Sequence, residues 1–387
     1  FGAPPPQLTL GHSHAMRTPL FASSRHASLL LFSSAAVALG SETGTKYSFH
    51  AGLVSLVLTF VSNGTHSTFA KAAGPKTSPM PYVLYLGLGL LVSCTIFVLA
   101  FSQPFEASGP GIAGGVLLSI ALTCYIQGIM MIGMVWCDMI TASSATVTSF
   151  LWGKLYFKEA STNLGLACFG LAAVLLGVSA VSAVLAARLK ELRSEHGELP
   201  VESSKRLLGL FFAVFNGACG GSCFPINKLQ PADKQGISFI WTQALGVLLS
   251  QSAITLIVYL CERARSGPAD GSALQTSAVA DGGVDKTDAI VMGRMEPLRL
   301  LPFALGQGLV FAATNLTTTI AGLSPVGIGV AQPVRESGHS LAVFIGAVLF
   351  REFGDPDLAF IARLVSCAAV EIAGIILLVS FGSAPSS

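Results

Sequence analysis

Phe150-Leu151-Trp152-Gly153-Lys154-Leu155-Tyr156-Phe157-Lys158-Glu159 recurs, in altered form, as Val343-Phe344-Ile345-Gly346-Ala347-Val348-Leu349-Phe350-Arg351-Glu352. The glycine, the phenylalanine and the basic-acidic dipeptide keep their register, and each copy closes one apolar stretch and precedes another. Working outward from this pair, the chain parses into stretches of membrane-spanning length at 50–70, 82–102, 111–133, 134–153 and 162–187. A second group follows at 207–227, 236–260, 300–323, 326–350 and 358–383. Asn63-Gly64 and Asn216-Gly217, in the first stretch of each group, repeat as well. An odd number of crossings per repeat forces the second group to enter the bilayer from the opposite side, so the repeats are expected to be inverted, an arrangement found in transporters.

Composition agrees. The 387 residues are 52% hydrophobic and 11% charged, with a mean hydropathy of +0.69, whereas a soluble domain carries roughly a quarter charged residues. Inside the ten stretches the only formal charges are Asp138, Arg335, Glu336, Arg363 and Glu371. Long apolar runs without period-2 alternation predict helices rather than barrel strands, because a helix satisfies its own backbone in hydrocarbon. The expected fold class is therefore all-α membrane protein, with ten transmembrane helices as two inverted five-helix repeats. A net charge of +2 without a basic, aromatic-interleaved face argues against nucleic acid as a partner. The partners expected are the lipid bilayer and a small polar solute.

Residues 1–49 are read as an N-terminal tail or targeting segment, either a secretory signal running from Met16 or a Ser-rich transit segment. Residues 50–187 form the first repeat, 188–206 a polar connection, and 207–383 the second repeat, interrupted by a Gly-, Ser- and Asp-rich surface loop at 261–299. Seven of the eight cysteines fall in the apolar stretches, where they act as small packing residues. Cys219 and Cys223 are one helical turn apart but lack further ligands, so no metal is expected; no cofactor motif or phosphate-cradling Gly-rich sequence is present.

Chemistry concentrates in the ninth stretch. Gln332, Arg335, Glu336 and His339 follow an i, i+3, i+4, i+7 spacing that places all four on one helical face. A charge at the bilayer centre costs ~2.5–3.5 kcal/mol, so Arg335 and Glu336 must meet a cavity or each other. Pro333 is expected to kink or break this helix, either exposing half-helix ends to a ligand or making a plain packing kink. Asp138, with Thr141 one turn on, is the acid of the fourth stretch; it suits sugar hydroxyls or a coupling proton, or else interfacial water near a helix end. Asn63 and His66 share a face of the first stretch with Ser67, as Asn216 shares one of the sixth with Cys219, Gly220 and Cys223. Gln127 and Asn315 join the candidate binding residues as mid-span amides that serve equally as interhelical hydrogen bonders, Gly220-Gly221 suits close helix contact, and Glu371 is given no role.

With five-plus-five stretches and the paired segments Trp152 to Glu159 and Gly346 to Glu352, the chain resembles the drug/metabolite transporter superfamily. Ala312-Ala313-Thr314-Asn315, Gly327 to Pro333 and Gly346 to Glu352 look closest to the transmembrane protein 144 family and to glucose, ribose and rhamnose permeases. The resemblance covers residues 50–383. It implies the ten-helix fold of that superfamily and a single-chain carrier for a carbohydrate or related polar metabolite. The cavity would be lined by the first, third, fourth, sixth, eighth and ninth helices. The chain departs from the pattern in lacking a tryptophan ahead of Asn315 and in carrying Arg335-Glu336.

The reading that follows is a secondary carrier, not an enzyme, moving a sugar, nucleotide sugar or sugar phosphate by alternating access. Asp138, Glu336 or His339 are the candidates for proton coupling. Arg335 suits an anionic group, while a neutral solute would need Glu336 to neutralise it. The alternatives are a non-transporting sensor or scaffold and an intramembrane enzyme. Lys and Arg on the side of residue 49 (Arg17, Arg25, Lys46, Lys154, Lys158, Lys228, Lys234) are outnumbered by those opposite, which puts that side outside the cytosol. The resemblance implies the reverse, and the sequence leaves the host membrane open.

Overall fold

In every apolar stretch the residues are those that keep a helix continuous in hydrocarbon, and each stretch holds one helix. The computed structural model describes residues 47–73, 79–132, 134–196, 203–231, 235–265, 297–348 and 356–383. The tail up to residue 46, the middle of the 188–206 connection, nearly all of the 261–299 loop and the Leu349–Glu352 part of the repeat lie outside these residues. The helices are α1 (Phe49–Ala73), α2 (Pro79–Ala100), α3 (Gly109–Ile132), α4 (Met134–Leu151), α5 (Leu164–His196), α6 (Ser203–Cys223), α7 (Ile237–Arg265), α8 (Pro297–Leu323), α9 (Ile328–Val348) and α10 (Leu358–Gly382). A π-helical turn, Trp152–Tyr156, extends α4, and a 3-10 turn, Pro225–Leu229, follows α6.

The protein is an all-α, multi-pass membrane protein. Among the described residues seven helices (α2, α3, α5, α6, α7, α8 and α10) are long and apolar enough to cross a bilayer. Val57, Leu99, Phe169, Leu176, Phe211, Ile257 and Ile376 point outward, as lipid contact requires. The other three helices, α1, α4 and α9, bury polar side chains, and α9 buries nearly its whole length.

Lipid tails are as apolar as leucine, so helices associate through close packing and interhelical hydrogen bonds rather than through hydrophobic burial. Both are present. A Cβ added to Gly115 of α3 would lie 2.7 Å from Cα of Gly246 on α7, and one on Gly374 of α10 would lie 2.6 Å from the Val174 nitrogen on α5. Thr59 of α1 donates to Thr317 of α8 at 2.6 Å, Thr314 of α8 to Ser62 at 2.9 Å, Ser119 of α3 to Gln251 of α7 at 3.0 Å, and Tyr82 of α2 to Gln307 of α8.

The main pairings place α1 against α8 and α9, α6 against α3 and α4, α2 against α8 and α7, α3 against α7, α4 against α9, and α5 against α10. The α4 and α9 helices run antiparallel: Gly153, just past α4, meets Gly329 at the start of α9, while Asp138 near the start of α4 meets His339. Of the kink or break expected at Pro333, the break does not form: α9 runs through it as one helix. The proline lies six residues into the helix, so its missing N–H forfeits only an early bond, to the carbonyl of Gly329, and no half-helix ends form.

Candidate functional site

The two Asn-Gly motifs assemble the site. Asn63 of α1 donates through Nδ2 to the Arg335 carbonyl of α9 at 2.7 Å, and a Cβ on Gly64 would lie 2.7 Å from the Gly338 carbonyl oxygen. In the other half, Asn216 of α6 donates to the Thr141 hydroxyl of α4 at 2.9 Å, and a Cβ on Gly217 would lie 2.5 Å from the Thr141 carbonyl oxygen. In both cases the amide ties one helix to its neighbour, and the glycine lets the backbones touch.

The polar face of α9 is then held inside the bundle. The Arg335 guanidinium makes cation–π contacts with two rings, its Cζ 4.5 Å from the Phe224 centroid and 5.2 Å from that of Phe311. Its Nε has no hydrogen-bond partner and stands 3.8 Å from Glu336 Oε1, which already accepts from Gln332 Nε2 at 2.8 Å. His339 lies between two carboxylates: Nε2 is 3.5 Å from Glu336 Oε2, and Nδ1 is 3.6 Å from Asp138 Oδ1. Tyr125 of α3 donates its hydroxyl to that same Asp138 oxygen at 2.5 Å, leaving Oδ2 without a partner. Asp138 is fully buried, which replaces the interfacial-water reading of its position with one inside the protein.

His66 of α1 stacks on Phe311 at 5.4 Å and approaches His339 edge-on at 5.8 Å. Its Nδ1 is 2.6 Å from the Asn63 carbonyl oxygen, and donation there leaves Nε2 bare. Asn315 is fully buried with neither amide atom partnered, and the Thr319 hydroxyl and Gln332 Oε1 are also without partners. Thr319 and Ile328 line a crevice together with Phe224, Asn227 and Lys228. Asn315 lies one turn from Thr319 on α8, and Gln332 one turn from Ile328 on α9, so the two amides sit at the level between crevice and guanidinium. Gln127 of α3 is only half-buried, and among the described residues no hydrogen bond joins it to this cluster. Glu371 of α10 is also buried, with its Oε1 unpartnered, as is the Ser340 hydroxyl of α9.

Gly220 is the exception among the small residues of α6. It lies on the inward side, opposite the outward-facing Phe211, Val214 and Phe215 and one turn from both Asn216 and Phe224. Yet a Cβ there would meet nothing within 4 Å. Its neighbour Gly221 packs as expected, its Cβ position 2.6 Å from the Ala145 carbonyl oxygen. Gly220, half-buried on that side, therefore borders open space rather than a helix contact.

The crevice end of the site is fastened by Glu159, which sequence reasoning placed only in the repeat. Its Oε1 accepts from the Ile328 N–H at 2.9 Å and from Lys228 Nζ, and its Oε2 from the Gly329 N–H at 2.9 Å. A carboxylate on the first amides of α9 is favoured by their unpaired donors and by the helix dipole. Gly327 permits the approach: its φ is +81°, and a Cβ there would stand 2.8 Å from Glu159 Oε2.

No family model and no curated protein matches the chain. A solved structure described only as "Crystal structure of protein" is similar over 84% of this chain and 95% of that one, with a TM-score of 0.52 and 11% sequence identity. The likeness is one of fold.

Tyr125, Phe224, Phe311, Thr319, Glu159 and Lys228 were not anticipated as site residues. Aromatic and apolar positions inside apolar helices carry no sequence signal of their own. Glu159 did carry one, through its recurrence with a preceding base at Arg351-Glu352.

Proposed function

We propose that this protein is a secondary carrier, built from two inverted five-helix repeats that span the membrane ten times, and that it moves a carbohydrate-like polar metabolite by alternating access. The observation carrying this reading is the space beside Gly220, inside a membrane bundle, between Asn216, which holds Thr141, and Phe224, which covers Arg335. Buried polar groups are almost always hydrogen-bonded. Here Asn315, Thr319, Gln332, Arg335 and Asp138 each hold at least one atom without a partner, which suits a solute that brings its own donors and acceptors. The helix pairings support the repeats: advancing each helix by five turns α1 against α8 and α9 into α6 against α3 and α4, and leaves α4 against α9 and α5 against α10 unchanged. Two such related halves around a central site provide the two states that alternating access needs.

The test is uptake of labelled sugars, nucleotide sugars and sugar phosphates into liposomes containing the purified protein, with Asn315→Leu as the diagnostic variant. Leucine removes two unpartnered polar atoms at similar volume, so the thermal midpoint should hold or rise, while uptake falls by about tenfold or more if the amide binds solute. A sensor or scaffold predicts no uptake by the wild type. A purely structural Asn315 predicts loss of stability and uptake together.

A further inference from the structure

We infer that the solute is a polyhydroxylated carboxylate, a sugar acid with a single negative charge, which Arg335 binds and which crosses together with one proton carried by Glu336. The inference rests on the carrier reading above and specifies what its site selects.

The Arg335–Glu336 pair is not a finished ion pair. A structural pair closes to about 2.7–2.9 Å, commonly through two parallel bonds, whereas here the nearest separation is 3.8 Å and Nε is unpartnered. Phe224 and Phe311 lie within cation–π distance of the guanidinium carbon and offer it no acceptor, so its unpartnered Nε remains for one. A planar guanidinium fork matches a carboxylate better than it matches scattered hydroxyls. The hydroxyl groups of the solute have their own partners in the unpartnered atoms of Asn315, Gln332 and Thr319, the last of which lines the crevice.

Charge balance supplies the proton. In the proposed resting state Arg335 and a His339 protonated between its two carboxylates balance Glu336 and Asp138, with the buried Glu371 carboxyl neutral. Adding one anion leaves an uncompensated charge in a dry interior, which is expensive enough that a group takes up a proton instead. Glu336 is the group that loses its cation when the solute takes Arg335. Once protonated, its Oε1 can keep the bond from Gln332 Nε2, and the solute and proton cross as a neutral pair. The proton comes from water on the loading side and returns to water on the other. The titratable or charged groups facing this part of α9 are His66 from α1, Tyr125 from α3, Asp138 from α4, Cys223 from α6, Arg335 and His339 within α9, and Glu371 from α10. A dianionic phosphate would need a second free cation that this set lacks.

The experiment uses the full chain in liposomes with labelled D-glucuronate, D-glucose and glucose 6-phosphate as probes. Wild type should accumulate glucuronate in step with the proton ratio, about tenfold for each unit of pH difference. A valinomycin-imposed potential of either sign should not change the result. Glu336→Gln should remove the dependence on pH and make glucuronate entry follow the potential, which no structural role for Glu336 predicts. Arg335→Ala should abolish glucuronate uptake. If that variant does not fold, Arg335→Lys, which keeps the charge without the fork, should raise the KM by about tenfold. Uptake of glucose without glucuronate, or preference for glucose 6-phosphate, overturns the inference and leaves the carrier reading standing. Wild-type glucuronate uptake that follows the potential overturns the proton step. If none of the three probes crosses while a nucleotide sugar does, the inference alone falls; if nothing crosses at all, the carrier reading falls with it.

Discussion

Gly64→Val is expected to yield no folded protein, whereas Gly220→Val is expected to fold normally and transport nothing. The Cβ of a residue at position 64 would lie 2.7 Å from the Gly338 carbonyl oxygen and 2.8 Å from the Leu341 Cβ, so valine must push α1 away from α9. Overpacking of a tight interface costs ~1–3 kcal/mol, occasionally more. Here it also breaks the Asn63 bond to the Arg335 carbonyl. At Gly220 nothing lies within 4 Å of a Cβ, so valine enters free space and displaces only what the space is for. Thermal midpoints in detergent, read beside liposome uptake, separate the two: a Gly220→Val protein that melts early, or that transports as wild type does, contradicts the open space.

Glu159→Ala is expected to unfasten the crevice. The substitution strands the Lys228 ammonium and the Ile328 and Gly329 N–H groups together. Charge-assisted bonds of this kind, partly shielded from water, are worth ~2–3 kcal/mol combined, enough to shift a two-state equilibrium by about a hundredfold. Cys223, which is fully buried and adjoins Phe224 at the crevice, reports on that shift. Its modification by a water-soluble maleimide, followed by peptide mass spectrometry, should speed up by about tenfold or more. Glu191→Ala, which removes an exposed ion pair with Arg188, serves as control and should leave the rate unchanged. An unchanged rate in Glu159→Ala would mean that these contacts only cap α9.

Much of this was legible beforehand because hydrocarbon imposes strong rules. Helix positions follow from apolar length, and the face formed by Gln332, Arg335, Glu336 and His339 follows from helical spacing. The Asn-Gly pairs were visible as repeats, although their work, each amide reaching the fourth helix of the opposite half, depends on how the halves interlock. What could not be read is what the α9 face meets. Tyr125 and Phe311 come from two other helices and Phe224 from the turn after α6, and their register against Arg335 and Asp138 is a property of packing rather than of any local pattern. The break expected at Pro333 does not form for a related reason: whether a proline ends a helix depends on which carbonyl loses its donor, and that depends on where α9 begins.

The main helix pairings all join one of the first five helices to one of the last five. During synthesis, therefore, α1 to α5 enter the bilayer before any of their principal partners exists. Asp138, Asn63 and His66 must wait there without the α9 groups that later enclose them. The first half of this chain is a client of the insertion machinery until the second half arrives, and maturation time, rather than any single contact, is what a lesion in α6 to α10 will lengthen first.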